Sequence, residues 1–256
     1  MFDIDIDDPG TWPCGEELLL VSHALSSAAM LHCYRRGLFA MPLDGVRFAD
    51  GSVADVIGWF SPTPQATLPL DGLRVRRSLR KSAKRYRVSV DMHFDAVVSR
   101  CADERREGGW IDADFVACYQ ELHESGAAHS VEVWDAADRL VGGLFGVSVG
   151  GLFAGESMFH DPRYGRDASK VALMALVSLL EPGSGRVLDV QWMTDHLASM
   201  GAVDLPREDY VDLLSDAVQL TAPRFVRGEL DGSVWREPWA PRSSGDQSRA
   251  AASQVS

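Results

Sequence analysis

Three polar residues interrupt apolar stretches of the sequence and could act together on a substrate. Glu156 follows a glycine-rich hydrophobic run, and Asp189 and Gln191 are two positions apart in a later apolar segment. Because side chains alternate along a strand, we expect Asp189 and Gln191 on one face, with their apolar neighbours on the other. Carboxylates and carboxamides at a strand end can orient a substrate and help to move a proton. The alternative is a buried, hydrogen-bonded network that only supports the strand ends.

A glycine-rich hairpin leads into these residues. Residues 140–159 are rich in Val, Leu and Phe, and Gly150–Gly151 is placed for the tight turn. Other glycines lie inside the runs, where glycine weakens a strand unless something approaches its backbone closely. We therefore predict the floor of a cleft. A helix from Ser169 to Leu180 should follow, then the strand that carries Asp189.

A strongly basic segment lies further upstream. Eight basic residues occur within fourteen positions without an acid, although the chain has a net charge of −12. Such a run is often just a solvated helix face, but in an acidic protein it also predicts a phosphate-binding surface with salt-sensitive affinity. The residues are Arg74, Arg76, Arg77, Arg80, Lys81, Lys84, Arg85 and Arg87.

Composition narrows the functional classes. The overall acidity argues against nonspecific binding along a nucleic acid, and no apolar run approaches the roughly 20 residues of a membrane span. The acidic start is unlike a signal peptide. Four scattered cysteines form no C-x-x-C pair, and seven histidines form no H-x-x-x-H pair. We expect a cytoplasmic protein with reduced thiols, no metal and no membrane partner.

The order of elements predicts an α+β fold. We expect a small N-terminal α/β domain at residues 1–72 with a frayed acidic start, a catalytic domain at 73–232, and a disordered tail at 233–256. In the catalytic domain, Asp112 or Asp114 is placed to cap a helix that carries Tyr119 on its apolar face.

An acetyltransferase-like (GNAT-type) fold fits the catalytic domain. In that fold a glycine-rich loop before the helix binds the pyrophosphate of coenzyme A. Residues 162–167 have the wrong first and last residues for this loop, so we expect an acyl donor other than coenzyme A.

Eight short motifs, all in order between about residues 18 and 215, resemble those of bacterial leucyl/phenylalanyl-tRNA–protein transferases. They are Tyr34-Arg-Arg-Gly-Leu-Phe39, Trp59-Phe-Ser-Pro62, Gly109-Trp-Ile111, Ala128-His-Ser-Val-Glu-Val-Trp134, Gly155-Glu-Ser-Met-Phe159, Ala168-Ser-Lys170, Asp189-Val-Gln191 and His196-Leu-Ala-Ser-Met-Gly-Ala202. The resemblance implies an enzyme that moves Leu or Phe, and less readily Met, from aminoacyl-tRNA to proteins that begin with Lys or Arg. The product is marked for degradation by the N-degron route. The resemblance implies no cofactor, and monomeric action is the simplest assumption.

The resemblance also implies roles for particular residues. Asp189 and Gln191 match the residues that ready the attacking amine, and we assign Glu156 to holding the acceptor terminus. The donor side-chain pocket would be formed by Leu144, Leu173, Leu176 and Leu180. Tyr34 and Trp110 match aromatic residues that contact the terminal adenosine of the tRNA, although both could simply pack in the core. The tRNA backbone would be held by Arg74, Arg76, Arg77, Arg80, Lys81, Lys84 and Arg85.

The chain departs from the family pattern at several positions. It has Phe39-Ala-Met-Pro42 where the family usually has Phe-Pro-Trp or Phe-Pro-Met, and Gln65 where Arg is usual. Two other functions therefore stay open: an acyltransferase of the same fold with another donor or acceptor, and a non-catalytic protein that binds the tRNA acceptor end.

Overall fold

The computed structural model describes residues 4–103, 105 and 109–236. Within this part of the chain the strands form one sheet of three strands and one of eight. The strands are β1 (Leu18–Ser22), β2 (Phe39–Arg47), β3 (Val53–Phe60), β4 (Gln65–Thr67), β5 (Arg87–Val90), β6 (Ala128–Trp134), β7 (Leu140–Val149), β8 (Leu152–His160), β9 (Val187–Gln191), β10 (Val203–Leu205) and β11 (Gly228–Leu230). The helices are α1 (Ser27–Tyr34), α2 (Arg77–Ala83), α3 (Phe94–Cys101), α4 (Ala113–Glu124), α5 (Ala168–Leu180), α6 (Asp195–Met200), α7 (Arg207–Ala217) and α8 (Gly232–Trp235).

The small sheet has the order β1-β3-β2 and is antiparallel throughout. Helix α1 begins where the Ser26 hydroxyl accepts a hydrogen bond from the Ala29 N–H at 3.2 Å. Gly37, with φ of +80°, turns the chain from this helix toward β2. Tyr34, in the last turn of α1, is buried, so the helix delivers an aromatic side chain to the interior.

The large sheet has the order β10-β4-β9-β8-β7-β6-β5-β11. Strands β7 and β8 form the predicted hairpin, with a turn at Gly150 and Gly151. Strands β8 and β9 are parallel, and the chain crosses from one to the other through α5. The crossover pairs the first residues of β8 with β9, with Ala154 opposite Asp189, and this brings Glu156 close to the strand that carries Asp189 and Gln191.

Helices cover both faces of the large sheet. A Cβ at Gly142 would lie 2.5 Å from the Cβ of Ala168 in α5, whereas a Cβ at Gly143 would meet Val97 of α3 at 3.3 Å. Consecutive residues of β7 thus face different helices, and glycine is needed because the helix approaches the strand so closely. The prediction that the hairpin glycines floor a cleft is wrong for Gly142 and Gly143, which meet the protein itself, whereas Gly155 lines an apolar cavity.

The last described helix packs into the core, and one strand of the predicted N-terminal domain joins the large sheet. Trp235 in α8 is buried and packs in the core cluster with α5, whereas residues 237–256 of the predicted disordered tail lie outside the described residues. Strand β4 belongs to the eight-stranded sheet although it precedes residue 72. The three-part domain division stays a prediction.

The described residues contain no helix long and apolar enough to cross a membrane. In the same residues, no cluster of three or more His, Cys, Asp or Glu side chains is arranged to hold a metal ion.

Candidate active site

An apolar cavity of about 270 Å³ lies between α5 and the ends of the central strands. Leu144, Leu173 and Leu176 line it, as the sequence predicts. Leu180 does not: it is fully buried in the helix-packing core, one turn beyond the cavity wall. The remaining apolar lining includes Met158, Leu188 and Leu197. The predicted stripe of leucines therefore divides into pocket residues and one core residue.

Glu156 reaches this cavity from β8 and is held by two phenolic hydroxyls. Tyr34 donates to its Oε1 at 2.7 Å, and Tyr119 donates to its Oε2 at 2.6 Å. Burial raises the pKa of the Glu156 carboxyl from 4.5 to about 7, although the two tyrosine hydrogen bonds oppose the rise. Burial also raises the pKa of Tyr34 and of Tyr119 well above 10. Both phenols therefore stay protonated donors, and Glu156 can change its charge near neutral pH.

Asp189 is buried behind the cavity and all its polar contacts are internal. Its Oδ1 accepts hydrogen bonds from the side chain of Gln65 at 2.6 Å and from the backbone N–H of Gln191 at 2.9 Å. Its Oδ2 accepts one from the Tyr210 hydroxyl at 2.7 Å. Burial raises its pKa, and these three donors oppose the rise. The carboxylate is thus satisfied inside the protein and acts on the cavity through what it holds.

Asp189 holds the backbone of Gln191. This residue has φ of +58°, a left-handed conformation that is uncommon without glycine, and the Asp189 carboxylate fixes its N–H. The resulting turn aims the Gln191 side chain into the cavity, while Asp189 is not part of the cavity wall. The two side chains therefore do not both reach the cavity. Asp189 orients Gln191 through the backbone, not through the side-chain amide.

Three supporting residues were not predicted from the sequence as part of the site. Tyr119 was expected on the apolar face of its helix, and it does lie there, but its hydroxyl ends at Glu156. Tyr210 and Gln65 come from α7 and β4, remote in sequence from Asp189. Of the three, only Gln65 carries a signal in the sequence, because the family usually has Arg at that position. Nothing local in sequence indicates which buried tyrosine will find a carboxylate.

The two aromatic residues predicted to contact adenosine occupy different environments. Trp110 lines the cavity and packs edge-to-face against Phe115, with 5.2 Å between ring centroids. Tyr34 is only 3% exposed and lies in the core, with its hydroxyl on Glu156. The ring of Tyr34 therefore offers no open stacking face, and the packing alternative describes its position in this structure.

A second aromatic group stands at the cavity wall. Trp192 and Phe39 both line the cavity and meet edge-to-face, with centroids 4.7 Å apart. The Glu17 carboxylate accepts a hydrogen bond from the Trp192 indole at 3.1 Å. Met41 also lines the cavity, so the altered Phe39–Pro42 motif still contributes two side chains to the site.

The basic run forms an exposed surface on and around α2. All seven residues assigned to the tRNA backbone are exposed: Arg74, Arg76, Arg77, Arg80, Lys81, Lys84 and Arg85. On the inner side of the same helix, Leu79 and Ala83 are buried. Because α2 packs beside α5, this basic surface and the apolar cavity lie on neighbouring elements. Arg87 is different, since it pairs with Asp138 and Glu229.

Comparisons with known proteins bear on this site. A family model described as "Leucyl/phenylalanyl-tRNA protein transferase" matches residues 67–215. A protein of Pseudoalteromonas atlantica named "Leucyl/phenylalanyl-tRNA--protein transferase" is 40% identical over 222 residues, covering 85% of this chain and 86% of its own. A protein of the same name from Rhizorhabdus wittichii is 43% identical and covers 85% of each chain.

Among solved structures, "The structure of L-PGS from Bacillus licheniformis" aligns with a TM-score of 0.35 and 12% identity. It covers 71% of this chain and 57% of that one. A score this low decides nothing about function. The fold described by the structure itself is a mixed α/β arrangement of two sheets with helices.

Proposed function

The chain belongs to the leucyl/phenylalanyl-tRNA–protein transferase family, and we propose that it transfers Leu or Phe, and less readily Met, from aminoacyl-tRNA to proteins that begin with Lys or Arg. Transfer of an aminoacyl group from tRNA to protein is the activity that the names of its relatives state. We further propose that the product is degraded by the N-degron route and that the protein acts as a cytoplasmic monomer. We also propose that the large sheet with α5 is of the acetyltransferase (GNAT) type.

The reaction needs little activation because the donor is already an ester. The acceptor α-amine attacks the ester carbonyl, a C–N bond forms, and the C–O bond to the terminal ribose breaks. One proton leaves the nitrogen, and one proton is taken up by the departing ribose oxygen. The protein must therefore align the two substrates, present an uncharged amine and supply a route for that proton.

The cavity lined by Leu144, Leu173 and Leu176 would take the donor side chain. Its wall is almost entirely apolar, so a branched or aromatic hydrocarbon side chain gains hydration free energy on entry. A charged side chain would lose its hydration among these leucines, where Glu156 is the one ionisable residue that the structure describes in the lining. The pocket therefore favours apolar residues as a class, and we propose that Leu, Phe and Met are among them.

Glu156 is placed to take the proton from the acceptor amine. An N-terminal ammonium has a pKa of about 7.7–8.0, and the Glu156 carboxyl has one of about 7. Proton transfer between them costs on the order of 1 kcal/mol, whereas an ordinary glutamate would cost about 4–5 kcal/mol. Burial thus makes this carboxylate a competent base at neutral pH, a role beyond simply holding the acceptor terminus.

Gln191 would accept a hydrogen bond from the same amine and fix its direction of attack. Its side chain lines the cavity, and its amide oxygen would be the acceptor. Its amide nitrogen is buried and has no partner among the described residues. Asp189 acts as a positioning residue, because it holds the Gln191 backbone in the left-handed conformation that makes this orientation possible.

The tRNA would be bound outside this cavity. Trp110 offers a partly exposed ring at the cavity wall for the terminal adenosine, since stacking tolerates any base. The exposed arginines and lysines of the α2 region would hold the acceptor-stem backbone without reading its sequence.

One observation carries the proposal: Glu156, with its raised pKa, and Gln191, with its left-handed backbone, line one apolar cavity next to a basic surface. The test is transfer of labelled Leu, Phe or Met from charged tRNA to a peptide that begins with Lys or Arg, with a matched Ala-starting peptide as control. We expect transfer to the basic peptides, lost in Gln191→Ala. Binding of charged tRNA without transfer would make the protein a non-catalytic acceptor-end binder. Turnover of acetyl-coenzyme A would indicate another acyltransferase.

A further inference from the structure

A second cavity, of about 690 Å³, adjoins the apolar one and is lined mainly by polar and basic side chains. Five of its lining residues carry nitrogen donors: His160, Arg163, Arg166, Lys170 and His196. Asp167 is the one acidic residue in its lining. In a chain with a net charge of −12, this concentration of bases is a local exception. We call this cavity the basic cleft.

The basic cleft continues the proposed donor site. Met158 lines both cavities. Lys170 precedes the pocket residue Leu173 by one turn of α5, and His196 directly precedes the pocket residue Leu197 in α6. The two cavities are therefore adjacent, so one ligand could place an apolar group in the first cavity and a charged group in the second.

The basic cleft also joins the exposed basic surface on α2. The Ser82 hydroxyl, in α2, donates to the Asp167 carboxylate at 2.8 Å, and Arg85 donates to the same hydroxyl at 3.1 Å. The Tyr86 hydroxyl donates to the carbonyl of Arg166 at 2.8 Å. These bonds tie the loop that carries the arginines to the end of α2, so a chain of positive charge leads from the helix to the donor pocket.

The loop itself is held in shape before any ligand arrives. The Asp161 carboxylate accepts hydrogen bonds from the backbone N–H groups of Arg163 and Tyr164, each at 2.9 Å. Asp167 is engaged by Ser82, and its other oxygen lies 3.9 Å from the Lys170 ammonium. The one acidic side chain in the cleft is thus partly neutralised from within, while Arg163 and Arg166 are exposed.

We propose that the basic cleft binds a backbone phosphate of the tRNA acceptor end, adjacent to the aminoacyl ester, through Arg166 and Lys170. This inference rests on the proposed function, since it assumes that the ester lies in the apolar cavity. Guanidinium and ammonium groups bind phosphate oxygens through charge-assisted hydrogen bonds. The acceptor protein is a poor occupant, because a terminal ammonium beside a Lys or Arg side chain is repelled by the same charges.

The test compares Arg166→Gln and Lys170→Gln with Arg47→Gln, which removes an exposed arginine near the far end of β2. For each variant, kcat/KM with charged tRNA is measured over a range of KCl concentrations. Each cleft variant should lower kcat/KM roughly tenfold and reduce the slope of log(kcat/KM) against log[KCl] by about 1. Arg47→Gln should leave both at the wild-type value, and Lys170→Arg should restore the slope.

A phosphate-free donor analogue, a non-hydrolysable aminoacyl-adenosine, is measured in parallel as a competitive inhibitor. Its inhibition constant should be the same for the wild type and both cleft variants, because it has no phosphate to lose. An unchanged salt slope, or equal weakening toward tRNA and the analogue, would overturn the inference. Absence of any transfer by the wild type would instead overturn the proposed function.

Discussion

Removal of one of the two tyrosine hydroxyls that donate to Glu156 should shift the pH dependence of the reaction. In Tyr119→Phe, the carboxylate loses the hydrogen bond that its Oε2 accepts at 2.6 Å, while the ring can keep its place between Phe145 and Trp110. A hydrogen bond to a charged group contributes about 1.5–3 kcal/mol. Because this bond favours the ionised carboxylate, its loss should raise the pKa of Glu156 by about 1–2 units, from about 7 in the wild type.

The assay is kcat/KM against pH, with one Lys-starting peptide so that the titration of its amine is common to all proteins. The base must be ionised to act, so activity falls as pH drops through the Glu156 pKa. The acid limb of the variant should therefore lie about 1–2 pH units higher, and at pH 6 its rate should be roughly ten- to a hundredfold lower, with recovery toward pH 9.

Tyr34→Phe should shift the limb in the same direction, because it removes the bond to the other oxygen. Tyr164→Phe, which changes a phenol on the exposed surface, should leave the profile at its wild-type position. A rate loss in Tyr119→Phe that is equal at every pH would refute the assignment of Glu156 as the base.

Four further predictions concern stability, donor choice, positioning and tRNA binding. Because the folded-state pKa of Glu156 is raised from 4.5 to about 7, the free energy of unfolding should fall by at most about 3 kcal/mol as pH rises through that window. Glu156→Gln should abolish this fall in denaturant melts that extend to about pH 8. Leu176→Phe should fill the pocket and lower kcat/KM for Phe more than for Leu, whereas Leu180→Ala should cost about 2–5 kcal/mol of stability without changing that ratio; equal ratios in both variants would contradict the assigned wall. Asp189→Asn should lower kcat by roughly a hundredfold or more with little change in KM, since it disturbs the support of the attacking geometry; a pure KM effect would argue against a positioning role. Trp110→Ala should weaken charged-tRNA binding by about 1–3 kcal/mol in a fluorescence titration, independently of tRNA sequence.

Sequence patterns predicted the elements around the site better than the contacts within it. The hairpin of residues 140–159, the turn at Gly150–Gly151 and the helix that follows all have local signals, and the structure contains each of them. The predicted end of that helix at Leu180 is also observed. These features depend on residues close in sequence, where turn chemistry and hydrophobic spacing are decisive.

The contacts around the carboxylates could not be read from spacing. Gln191 has a positive φ at the end of β9, and alternation along a strand does not predict that conformation. Tyr210 reaches Asp189 from twenty-one positions away, and Gln65 reaches it across 124. Leu180 shares a helix face with Leu173, but the cavity ends before it. Each of these outcomes depends on how distant elements meet, which no local pattern encodes.

The two tyrosine hydroxyls that donate to Glu156 come from two different helices, α1 and α4, which pack against each other. Tyr34 belongs to the helix beside the small sheet, and Tyr119 to a helix that covers the large one. The proton affinity of the carboxylate consequently depends on the seating of α1 against the rest of the molecule. If α1 moved away by a few ångströms, Glu156, the proposed base, would lose the hydrogen bond from Tyr34 and retain its proton at neutral pH. With Glu156 as the proposed base, packing of α1 against α4 would thus set the pH range in which the enzyme works.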